Sequence, residues 1–69
     1  MTWERREEKR SYSGSTHEQA AEEGRRGMVE ALSEGYLAER VEWRSDGLEV
    51  TIEYVYDPAR ARGSVQRLH

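Results

Sequence analysis

The sequence predicts an α+β fold, a two-layer β-α-β-β sandwich in which one amphipathic helix covers one face of a three-stranded sheet of order 1-3-2. Three observations carry that prediction. Leu48 to Asp57, L-E-V-T-I-E-Y-V-Y-D, alternates apolar and polar residues with period two, the signature of a strand with one buried face. Ser15 to Gly35 repeats small and apolar residues at helical spacing between a capping signal and a glycine. Asp46-Gly47 then separates two alternating runs as a hairpin turn.

With 69 residues the chain makes one domain, near the lower size at which a single core sustains a fold, so association with a partner or a second copy is expected. There is no cysteine, which removes disulfides, thiol chemistry and Cys-based zinc sites and leaves a reducing cytoplasm as the expected compartment. Apolar runs are too short to span a membrane, and the charged start W-E-R-R-E-E-K-R is unlike a signal peptide. Eleven basic residues against fourteen acidic ones give a net charge of −3, an argument against a dedicated nucleic-acid binder. Phenylalanine is absent, so two tryptophans and four tyrosines carry the aromatic core, and their hydroxyls need partners.

The first strand is expected over about residues 3–12, where Trp3 and Tyr12 are the anchors and the intervening charges blunt an exposed edge, the alternative being a disordered charged arm. Ser15-Thr16-His17-Glu18 spells a capping box with Ser15 as N-cap. The helix, over about 16–34, turns His17, Ala20, Ala21, Gly24, Met28, Ala31, Leu32 and Gly35 to one face. Gly24 and Gly27 each cost roughly 1 kcal/mol relative to Ala, and a close approach to the sheet along this small-residue face is the expected compensation. Gly35 suits the left-handed position after the last turn.

The hairpin spans 37–57. A two-residue type I′ turn at Asp46-Gly47 sets Arg44 against Glu49, Trp43 against Val50, Glu42 against Thr51, Val41 against Ile52 and Arg40 against Glu53, so apolar meets apolar and Arg meets Glu twice. In the second strand Leu37, Val41 and Trp43 share the inner side. Pro58 stops the sheet, and residues 58–69 read as a flexible basic tail beyond a single domain at 1–57. A right-handed crossover makes the second strand parallel to the first and places the apolar third strand between them.

Tyr12-Ser13-Gly14-Ser15 with Ala20, then Gly35-Tyr36, Trp43, Leu48, Val50, Thr51 and Tyr54, gives the pattern Y-x-G-S…A…G-Y…W…L-x-V-T-x-x-Y. Over about residues 9–57 this resembles a small bacterial domain of uncharacterised function. The resemblance implies β-α-β-β and no activity. Some members of that family carry an insertion, at times hydrophobic, between the tryptophan and the last strand; here Ser45-Asp46-Gly47 closes the gap tightly, and no membrane insertion is expected.

Candidate chemistry is sparse. His17 has no triad or metal-ligand spacing beside it, and Glu22, Glu23, Glu30 and Glu34 read as a solvated helix face. Gly24-Arg25-Arg26-Gly27 lacks the lysine and the preceding strand of a phosphate loop. Tyr36, Trp43, Tyr54 and Tyr56 could stack bases if open, but the helix needs that face as its core. No cofactor, metal or catalytic residue is expected. The function expected is a non-enzymatic interaction module, acting as a homodimer or on a protein partner through the polar sheet face of Arg40, Glu42, Arg44, Glu49, Thr51, Glu53 and Val55. The alternative is a nucleic-acid accessory protein gripping phosphate with Arg60, Arg62 and Arg67.

Overall fold

Five elements follow one another along the chain: β1 (Glu7–Ser13), α1 (His17–Ser33), β2 (Tyr36–Trp43), β3 (Glu49–Tyr56) and α2 (Pro58–Arg67). They are those of a computed structural model that describes the backbone of residues 6–67 and side chains as far as residue 63. The expected start of the first strand, with Trp3, lies outside the described residues. The sheet order is β1-β3-β2, and β3 runs antiparallel to both neighbours, as the α+β, β-α-β-β reading requires.

The hairpin register is the one the alternation dictates, from Trp43 opposite Val50 to Arg40 opposite Glu53. The turn that delivers it differs from a two-residue I′ turn. Only Gly47 has positive φ (+72°), whereas Asp46 does not. The Gly47 amide donates to the Arg44 carbonyl (2.9 Å), and the Arg44 amide to the Glu49 carbonyl (2.9 Å). The loop therefore holds four residues, and lengthening it by one on each side keeps the pairing sum unchanged. Asp46 closes the loop by accepting from the Leu48 amide and the Arg44 guanidinium, both of which hold its carboxyl below its ordinary range, the arginine more strongly.

Past Arg40 the ladder shifts by one residue, with Ala38 opposite Tyr54 and Leu37 opposite Val55, so Glu39 is the extra residue of a β-bulge. Leu37 is thereby moved off the inner side, where strict alternation put it, to the outer face beside Val55. Tyr36 takes the inner side and meets Tyr56 edge to face at 5.2 Å.

Helix α1 begins one residue later than the Ser15 box implies. Thr16 is the N-cap, with extended φ of −131°, and its hydroxyl accepts from the Gln19 amide (3.1 Å). The Gln19 side chain reaches back to the Ser15 amide (2.8 Å), so Thr16 and Gln19 satisfy the orphan donors instead of Ser15 and Glu18. Gly35, at φ +93°, ends the helix as expected. The buried positions of α1 are Ala20, Gly24, Gly27 and Ala31, a face rotated toward Gly27 and away from Met28.

The core is built from Ala31, Val50, Ile52 and Tyr54, with Tyr12 and Tyr36 packed against it. The two hydroxyls at its centre, on Tyr12 and Tyr54, bond each other at 2.9 Å. Arg10, on the inner side of β1, lies 5.6 Å from the Tyr54 ring centre and 5.8 Å from that of Tyr36, and pairs with Glu8 and Glu34.

Residues 58–67 form a helix rather than an irregular tail. Pro58 occupies its first turn, where a missing N–H costs nothing, and the Asp57 carboxylate accepts from the Arg60 amide (3.3 Å). Ala61 is buried where α2 folds back onto α1.

A Cβ at Gly27 would collide with the Tyr12 ring, which the Tyr54 hydroxyl holds in place. Gly27→Ala is expected to lower stability by about 1–3 kcal/mol in urea unfolding. Gly63→Ala, whose Cβ meets nothing within 4 Å, is expected to be neutral or to stabilise by up to ~1 kcal/mol.

Burial first, and the bond with Tyr12 second, raise the pKa of the Tyr54 hydroxyl above its ordinary value of 10.0. The folded chain keeps that proton where the unfolded chain releases it. Stability is therefore complete below about pH 10 and declines as pH rises beyond it. Melting temperature should fall between pH 10 and 12, and the fall should be shallower in Tyr54→Phe.

Candidate protein-docking site

Where α1 rests on the sheet is decided by its glycines. Beyond the Gly27 contact with Tyr12 of β1, a Cβ at Gly24 would meet Cγ1 of Val50 on β3 at 3.1 Å. The helix therefore lies closest over β1 and β3. At its N-terminal end His17 stacks on Trp43, ring centres 4.3 Å apart, and its Nδ1 donates to the Gly47 carbonyl (2.8 Å). This clips the helix start to the hairpin loop and gives the lone histidine within the fold a structural role.

Strand β2 is left exposed over most of its length. Every residue from Ala38 to Trp43 is exposed, on both faces of the sheet. The large apolar side chains that stand exposed among the described residues are Met28 (37%), Val29 (60%), Val41 (49%) and Trp43 (40%). Met28, Val41 and Trp43 gather on the β2 side of the molecule, whereas Val29 stands on the outer face of α1. Between α1 and β2 runs a groove of about 170 Å³, lined by Gly24, Met28, Val41, Trp43, Val50 and Ile52. It continues along the helix into a shallow apolar depression beside Val29 and Leu32.

The opposite face carries the residues singled out from the sequence. The register puts Arg40, Glu42, Arg44, Glu49, Thr51, Glu53 and Val55 there, beside Lys9 and Ser11 of β1. Its charges are already engaged within the chain. Arg40 pairs with Glu42 and Glu53, Arg44 with Asp46 and Glu49, and Lys9 with Glu53, while the Ser11 and Thr51 hydroxyls bond at 2.9 Å. Exposed pairs of this kind are worth ~0–1 kcal/mol each, so they can be exchanged for pairs between chains at little cost.

The remaining candidates disperse. Glu22 and Glu23 pair with Arg26, and Glu34 with Arg10, so the helix carboxylates do not converge. Among the described residues no three His, Asp or Glu side chains are grouped to hold a metal ion. Tyr54 is buried and Tyr36 and Tyr56 half-buried, which leaves Trp43 alone of the four expected platform rings standing open. Arg60 and Arg62 project from α2 into solvent, and Arg67 closes that helix. No helix of the described residues is long and apolar enough to cross a membrane.

The apolar site escaped the sequence reading because Val41 and Trp43 alternate correctly for a core. One signal was present: Val29 lies outside the small-residue face of α1, and a face of alanine and glycine is too narrow to roof three strands.

No family model matches the chain, and no curated protein and no solved structure matches it either.

If Val41 and Trp43 serve a surface, their replacement should spare the fold. Val41→Thr is expected to change unfolding free energy by less than about 1 kcal/mol, whereas Ile52→Ala, in the sealed core, should cost about 2–5 kcal/mol. Urea titrations followed by circular dichroism check both.

Proposed function

We propose that this protein is a non-enzymatic interaction module that docks on protein through the uncovered β2 edge and the apolar groove beside it. The observation that carries the reading is the exposure of β2 from Ala38 to Trp43 on both faces, next to Met28. An edge strand offers a row of main-chain donors and acceptors, and an adjoining apolar groove supplies pockets for alternate side chains; together they make the surface used for strand addition. Monomeric proteins seldom leave their large apolar side chains gathered on one side without a partner to cover them. The reading moves the docking surface from the polar face, where charge alternation suggested it, to the edge and groove side of the same sheet. The nucleic-acid alternative loses support, since the basic residues of α2 sit on a short helix in a chain of net charge −3.

A photo-reactive phenylalanine analogue in place of Trp43, and separately of Thr51, tests this in cells of the source organism. Protein adducts are expected from position 43 and not from 51. Absence of protein adducts at 43 would refute the reading, and adducts at 51 alone would return the surface to the polar face.

A further inference from the structure

We infer that the partner at the β2 edge is a second copy of this chain, joined antiparallel about a two-fold axis at Val41 to make one six-stranded sheet. The inference rests on the docking surface proposed above, and names its occupant.

Hydrogen-bond parity limits which residues can meet. The Arg44 amide bonds the Glu49 carbonyl, so Arg44, and with it Glu42 and Arg40, direct their main-chain groups toward β3. Val41 and Trp43 then direct theirs outward. On a two-fold at Val41, its amide donates to the carbonyl of the partner's Val41 and its carbonyl accepts in return.

Charge selects the same register. With the axis at Val41, Arg40 faces the partner's Glu42 on the polar side, and symmetry repeats the pair. Moving the axis to Glu42 sets Glu42 against itself and Arg40 against the partner's Arg44, both repulsive. An axis at Trp43 keeps opposite charges together but reaches the end of β2, so little ladder forms. On the groove side the Val41 register sets Trp43 opposite the partner's Glu39 and diagonal to the partner's Val41, with the two grooves side by side.

The other edge is poorly suited. β1 carries Glu7, Glu8, Lys9 and Arg10 in succession, the charge density that blunts an edge. The assembly closes at two copies, because each copy has one edge able to pair.

The chain has no cysteine, so a single introduced one reports the axis directly. Residues facing each other in a hydrogen-bonded antiparallel pair stand at about 5.5 Å between Cα atoms, within disulfide reach. Under mild oxidation at low micromolar concentration, Val41→Cys should become covalent dimer, while Arg44→Cys should remain monomer. In sedimentation equilibrium Arg40→Glu should weaken the dimer by about tenfold or more, and the exchange Arg40→Glu with Glu42→Arg should restore it, with circular dichroism confirming the fold of each.

A wild-type chain that stays monomeric at several hundred micromolar, or equal crosslinking at 41 and 44, would overturn the inference. If in that case position 43 still captures a protein of different mass in cells, the docking surface stands and its occupant is another chain. Monomeric behaviour with no adduct at 43 would overturn both.

Discussion

The placement of α1 is set by one contact, the Tyr12 ring lying against the bare Gly27 backbone with its hydroxyl tied to Tyr54. A side chain at Gly27 would lift the helix, and a phenylalanine in place of either tyrosine would leave one hydroxyl to find another partner. Because the helix is drawn down most closely onto β1 and β3, the inner side of β2 is left partly open from Ala38 to Trp43. Core packing and the exposed edge are thus two results of one geometry. A helix with larger residues along its contact face would ride higher, and its lateral position would then be free to vary.

That geometry also divides the aromatic residues by task. Tyr54 is sealed, Tyr12 and Tyr36 pack on the core, and Tyr36 braces Tyr56. Trp43, held on one side by the His17 ring, leaves 40% of its surface to solvent. Arg10 lets the inner face end in a charge without loss of packing, since its guanidinium lies over two rings while it pairs with carboxylates of β1 and α1.

The sheet was legible in the sequence to the level of individual pairs because two independent patterns, apolar against apolar and Arg against Glu, agree on one register between Arg40 and Glu49. The loop was less so, since a two-residue and a four-residue connection give the same sum and differ in the φ of Asp46 and in which pairs exchange hydrogen bonds. The helix cap slipped by one residue because Ser15-Thr16 offers two hydroxyls, each followed three residues on by a side chain able to reciprocate. Helix α2 hid behind its own start signal: Asp57-Pro58 ends a strand and also caps and opens a helix. The site was least legible. Alternation tells which face of β2 is apolar but not whether a helix reaches it, and that depends on where two glycines let the backbone settle.

The bulge at Glu39 acts as a parity switch. A strand that must seat Tyr36 in the core at one end and offer Val41 and Trp43 at the other would, in strict alternation, put those residues on opposite sides. One extra residue, Glu39, reconciles them and places an acidic side chain where the phase changes. The two ends of β2 can therefore diverge independently, one constrained by packing against Tyr56 and the other by what binds at the edge. Loss or gain of a single residue here would invert one end relative to the other, so this short segment tolerates substitution far better than it tolerates a change of length.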